Sequence, residues 1–273
     1  MLSAVARSRW HLYFAAVAFS ALAMIAMAQE RKPAEPASAT TPKAKAPKTT
    51  TPKTPAPKAA PSTDANADQP PADAGLVKIS KTRDVWLDTK RKAVIVDGEI
   101  CLREGQLEMF ACPKGTKEHE SIVSLNCLPE EVHAGLLAAG AKPGKPVSFD
   151  PKYEPATGDI IDIHILWRDK DGNKHQAKAQ EWIKHVKTGK AMEYDWVFAG
   201  SGFWKDEETG KQHYQANGGD FICVSNFPTA TLDLPVESSQ ANSDLQFQAF
   251  TENIPPKGTK VRLVLVPRKK SET

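Results

Sequence analysis

The chain has 273 residues, with 36 lysines and arginines against 33 aspartates and glutamates, a formal net charge of +3. That excess does not belong to the part that can fold: setting aside two basic residues in 1–28 and seven basic and five acidic residues in 29–75 leaves 27 basic and 28 acidic. A globular part of net charge −1 excludes a general electrostatic case for nucleic acid, and its length is enough for one domain with a real core.

In chain order, residues 1–28 read as a secretory signal. Arg7 and Arg9 form the positive start, Leu12 to Met27 is apolar, and Ala26-Met27-Ala28 is a small-residue cleavage site ahead of Gln29. No cysteine stands at that site to take a lipid, so the expectation is a cleaved, exported protein of the periplasm or cell envelope. The alternative, a retained anchor helix, needs about 20 apolar residues, slightly more than the run supplies. Residues 29–75 are rich in Pro, Ala, Lys and Thr; Pro42, Pro47, Pro52 and Pro57 recur every five residues, each followed by lysine. Such a composition cannot bury enough apolar surface to fold, and predicts a disordered, extended linker. Its basic charge could meet a cell-envelope polymer or protein; with no aromatic side chain to stack on bases, nucleic acid is not its expected partner.

Residues 76–270 read as a single domain. Ala93 to Leu102 and Leu107 to Cys112 flank Arg103-Glu104-Gly105-Gln106, which predicts a β-hairpin with Cys101 and Cys112 on one face but too far apart along it to bond. A helix is predicted from Pro129 to Ala139, with proline and two glutamates in its first turn, Gly140 ending it, and an apolar stripe of Val132, Leu136 and Leu137 that takes in His133. Asp159 to Trp167 should turn back through Asp169-Lys170-Asp171-Gly172-Asn173, a turn signal lacking the later ligands of a calcium loop. A short helix is expected near Gln180 to Val186, and further strands at 196–204, 221–226, 245–250 and 261–266. The fold class expected is α+β, mainly β: a largely antiparallel sheet with one or two short helices.

The richest segment for chemistry is Cys112 to His133. His119 between Glu118 and Glu120, followed by Ser121, has the residue types of a base beside a nucleophile, although adjacent side chains seldom face each other. Cys112, His119, Cys127 and His133 are suitable transition-metal ligands, without the spacing of a zinc motif. In an oxidising compartment Cys101, Cys112, Cys127 and Cys223 are candidates for disulfides. Trp196, Phe198 and Trp204, spaced by Gly200 and Gly202, would share one strand face and offer a flat platform for a planar ligand or a sugar.

The segments EHESI, VHAGLLAAGAKPG, DWVFAGSGFW and GGDFICVSNFP resemble the YdjY-domain family of exported bacterial proteins, over most of residues 77–267. The resemblance implies no established activity; within the matching segments, His119, Glu120, Ser121 and His133 are the candidate site. Some family members are described as ferredoxin-like, but the four cysteines here lack clustered iron–sulfur spacing. The function expected is that of a non-catalytic binding or interaction domain on a Pro/Lys-rich linker. The alternative is a metal-binding enzyme or redox accessory using Cys112 to His133.

Overall fold

The computed structural model describes residues 75–241 and 244–269; the signal segment and nearly all of the linker lie outside the described residues. The strands are β1 (Leu76–Lys78), β2 (Val85–Asp88), β3 (Ala93–Ile100), β4 (Met109–Pro113) and β5 (Ser121–Leu125), followed by helix α1 (Pro129–Ala139). Then come β6 (Ile160–Arg168), β7 (Lys174–Lys178), β8 (Ile183–His185), β9 (Trp196–Phe198), β10 (Phe203–Lys205) and β11 (Gln212–Tyr214). The last four are β12 (Ile222–Cys223), β13 (Leu232–Asp233), β14 (Phe247–Ala249) and β15 (Lys260–Pro267).

The sheet closes on itself. In the order β3-β15-β6-β9-β13-β12-β4-β5, the last strand pairs back with β3, giving an eight-stranded barrel extended by β1 and β2 beyond β3 and by β7 beyond β6. This corrects the expected α+β layer with short helices. Two of the barrel pairings are also parallel, β12 with β13 and β4 with β5. The predicted hairpin does not form: β3 pairs with β2, β15 and β5, while β4 pairs with β5 and β12. Glycine at 105 marks a turn away from β3 rather than back along it, because the backbone there is taken up by β14 (Ala249 N to Gly105 O, 2.9 Å; Leu107 N to Phe247 O, 3.0 Å).

Alternation of side chains fills the barrel. Ile161, Ile163 and Ile165 on β6, and Val261, Leu263 and Leu265 on β15, are buried at every second position. Following the register around the ring, Ile100, Val123, Ala111, Ile222, Leu232 and Phe198 stand side by side on successive strands. All six are essentially inaccessible and belong to one apolar cluster. Helix α1 has the predicted bounds, with Gly140 at φ 97° closing its C-terminus. Val132 and Leu136 join the barrel cluster, and Gly135 lies directly over Ile79 and Val94. Leu137 does not complete the stripe; it stands about half exposed. The second predicted helix is a 3-10 turn over Ala179–Trp182 running into β8, which pairs with β14. The β6–β7 turn is as expected: Asp169 accepts the amides of Asp171 and Asn173 (both 2.9 Å) and bonds the His175 ring (2.8 Å).

Candidate functional site

The residues marked in the sequence divide between two places. Glu120 ends the loop from β4 to β5 and points into a charged cluster, where Lys117 Nζ lies 2.9 Å from Asp220, 3.5 Å from Glu120 and 3.9 Å from Glu108. The same ammonium stands over the Phe227 ring at 4.5 Å. Burial raises Glu108, and the neighbouring Glu120, with which it shares a hydrogen bond, raises it further. Burial alone would lower Lys117, but its carboxylates outweigh that and raise it. The cluster is thus a cation held among three acids, one of them inclined to keep its proton. His119 is on the outside, 76% exposed, with Nε2 3.6 Å from Glu120. Ser121 is fully buried in β5, with its side chain against the Cys112 thiol.

His133 belongs to the second place. Its Nδ1 is 2.8 Å from Tyr214 Oη, its ring meets Phe198 edge-on at 4.8 Å, and Tyr214 is in turn 3.0 Å from Gly200 O and 3.2 Å from Thr231 Oγ1. The hydrogens that fit are Nδ1–H donating to Tyr214 and the phenol donating to the Gly200 carbonyl. Burial lowers His133, partly offset by Gly200, so the ring is neutral at pH 7 and keeps its Nε2 lone pair. Burial pushes Tyr214 up to about 12. Ser201, at φ 53°, ties the surrounding loops, donating to Thr229 O (2.6 Å) and accepting from Ala216 N (3.2 Å). Thr229 also bonds Asp220, so the two places adjoin through the segment 229–231.

A family model described as YdjY domain matches residues 85–266. The chain belongs to the YdjY domain family. No curated protein and no solved structure matches it. The matched range contains both the Lys117 cluster and the His133–Tyr214 network.

The metal set of Cys112, His119, Cys127 and His133 is not brought together in this YdjY domain. Among the described residues no three His, Cys, Asp or Glu side chains are disposed to hold a metal ion. The four cysteines are free thiols in the structure. Cys101 N donates to Ile122 O (2.9 Å) on one side of β5 and Cys112 pairs with Ser124 on the other, and the Cys101 thiol is near enough to Cys112 to be raised by it. Burial pushes Cys101 up to about 12 and raises Cys112, Cys127 and Cys223 as well, which keeps all four thiols protonated.

The aromatic platform does not form either. Trp196 and Phe198 are buried in the barrel, and Trp196 Nε1 donates to Cys223 O at 2.7 Å. The strand then breaks at Gly200 (φ 91°) and Ser201, and Phe203 and Trp204 continue on the separate β10–β11 hairpin. There they stand 61% and 49% exposed, Phe203 packed on Tyr214 and Trp204 stacked on His213 at 4.6 Å.

Sequence reasoning missed Asp233, on β13, whose signal was only an acid between two leucines. It is fully buried and accepts from Asn226 Nδ2 (3.2 Å), Leu234 N (2.8 Å) and Phe227 N (3.3 Å). Burial nevertheless pushes its carboxyl from 3.8 up to about 7. Between those two values the folded domain holds a proton that the unfolded chain has released. The stability from Asp233 is therefore complete below about pH 4 and is lost as pH rises through about 7. Urea titrations at pH 5 and pH 8 should show the native chain losing roughly 2–3 kcal/mol more than Asp233→Asn. Parallel losses in the two proteins would mean that Asp233 is already ionised at pH 5.

Proposed function

We propose that this protein is an exported, cell-envelope binding domain without a catalytic centre of its own, presented at the end of a Pro/Lys-rich linker. The observation that carries this reading is the β10–β11 hairpin: Phe203 and Trp204 are held in water on a short two-stranded element fixed to the domain by Tyr214. As neighbours on one strand, the two present apolar side chains to water on opposite faces of the hairpin, Phe203 on the Tyr214 side and Trp204 on the His213 side, and exposed aromatics of this kind are used in recognition. Two of the groups that suggested chemistry support the same reading, because they are engaged internally: His133 with Tyr214, and Glu120 with Lys117.

The test combines fractionation with analysis of the purified, tag-free protein. Expression of the full chain should give a mature form beginning at Gln29 in the osmotic-shock or envelope fraction, with less than about a tenth of an equivalent of any transition metal bound. A full-length product confined to the cytosol overturns the export half. Stoichiometric metal together with fully reactive thiols overturns the binding half in favour of the metal-dependent alternative.

A further inference from the structure

The domain carries net charge −1, yet one end of it is basic. The β2–β3 turn reads Lys90-Arg91-Lys92, and the end of β15 reads Pro267-Arg268-Lys269. The two come together at an open cleft of about 480 Å³ lined by Arg91, Lys92, Arg268 and Lys269 together with Asp159 and Asp162, beside the C-terminus of α1. A smaller cleft of about 160 Å³ adjoins it, lined by Lys90, Arg91, Asp88 and Gly75.

The carboxylates in this region are already engaged. Asp88 accepts the amides of Lys90 (3.0 Å) and Arg91 (2.9 Å) and pairs with the Arg91 guanidinium (3.0 Å), which fixes the turn. Asp162 and Asp195 both clamp Arg268. Asp159 accepts Lys142 N at 2.9 Å. Lys90, Lys92 and Lys269 are exposed and form no ion pair among the described residues, so their ammonium groups are the part of this face available to an outside anion.

Two facts identify the occupant. The charge complement of three unpaired ammonium groups on an exposed face is an array of anions rather than one ligand. The second is where the chain enters: Gly75, the last linker residue, is bonded to this same turn, with Thr89 N and Thr89 Oγ1 both donating to Gly75 O (2.8 and 2.9 Å). The linker that joins there contributes seven basic residues against five acidic. We propose that this basic end docks on the anionic phospholipid headgroups of a membrane, with the linker joining the domain at the docked side. The proposal rests on the envelope reading above only for its setting, since binding by the purified chain does not depend on where the cell sends it.

The test is co-sedimentation of the mature chain, linker included, with phosphatidylcholine vesicles and with vesicles containing about 30% phosphatidylglycerol. Binding is expected only to the anionic vesicles at about 0.1 M salt, and its loss by about 0.5 M. The triple variant Lys90→Glu, Lys92→Glu, Lys269→Glu should partition at least roughly 100-fold less, at about 1 kcal/mol per lysine. The comparison variant reverses three exposed lysines elsewhere, Lys170, Lys174 and Lys187, and should partition within about threefold of the native chain. Thermal melts of all three proteins check that the fold is retained. Equal loss in the two variants, equal binding by the native and Lys90/Lys92/Lys269 proteins, or capture by soluble polyphosphate without vesicle binding would each overturn the proposal.

Discussion

Replacing Gly98 with alanine is expected to cost at least about 3 kcal/mol of stability and to lower the melting temperature by roughly 6–12 °C. Gly98 lies in β3 opposite Leu125 on one side and Val261 on the other, at the pairing that closes the barrel. A Cβ there would stand 2.3 Å from Ser124 O, 2.8 Å from Leu125 Cδ2 and 3.1 Å from Leu125 Cα. Two of those three atoms are backbone, so relief requires β5 to move away from β3 rather than a side chain to turn. Urea or thermal unfolding of Gly98→Ala measures the effect. A loss under about 1 kcal/mol would mean that the strands do not approach as closely as this at the seam.

The second large effect is expected at Trp196. Its indole is inaccessible in the barrel, tilted against Phe110 at 5.7 Å, and its Nε1 satisfies the Cys223 carbonyl. Trp196→Ala removes the largest side-chain class in the core and should cost about 3–5 kcal/mol. Trp196→Phe keeps an aromatic filling but leaves the Cys223 carbonyl without its donor, which should cost about 1–3 kcal/mol beyond the smaller volume change. The two variants separate packing from hydrogen bonding. If Trp196→Phe is neutral in urea titration, the indole hydrogen bond is not part of what holds β9 to β12.

Local features of the fold were legible because their causes are local. Helix α1 was readable to the residue, since Pro129, Glu130, Glu131 and Gly140 each satisfy a terminal requirement within a few positions. Likewise β6 and β15 announce themselves through Ile161, Ile163, Ile165 and Val261, Leu263, Leu265 at period two. Closure was not legible. Which strand lies beside β3 depends on a pairing with β5 across the intervening β4, and nothing near Gly98 in sequence encodes Leu125 as its partner. Glycine at 105 signals a turn without saying where the chain goes next.

The candidate site was legible in composition and not in geometry. Clustering along the chain from Cys112 to His133 located Glu120 and His133, but the loop before β5 and helix α1 carry them to different partners. Those partners, Asp220 for Lys117 and Tyr214 for His133, come from segments roughly a hundred residues and eighty residues away. The aromatic run from Trp196 to Trp204 was misread as one strand because Gly200 and Ser201 break it with two successive left-handed residues. Serine carries no strong signal for that conformation; its reason appears only in space, where its hydroxyl joins Thr229 and Ala216.

The barrel is the frame that holds both the Lys117 cluster and the His133–Tyr214 network, and its seam is the place to test it. In solution the amide protons of Cys101 and Asn126, which donate across β3 and β5 to Ile122 O (2.9 Å) and Asp97 O (3.1 Å), should exchange with deuterium as slowly as those in the centre of β6 and β15. Cross-strand nuclear Overhauser contacts between Gly98 and Leu125 should accompany that protection. Fast exchange at Cys101 and Asn126, with no contact between Gly98 and Leu125 while the rest of the sheet is protected, would contradict a closed barrel.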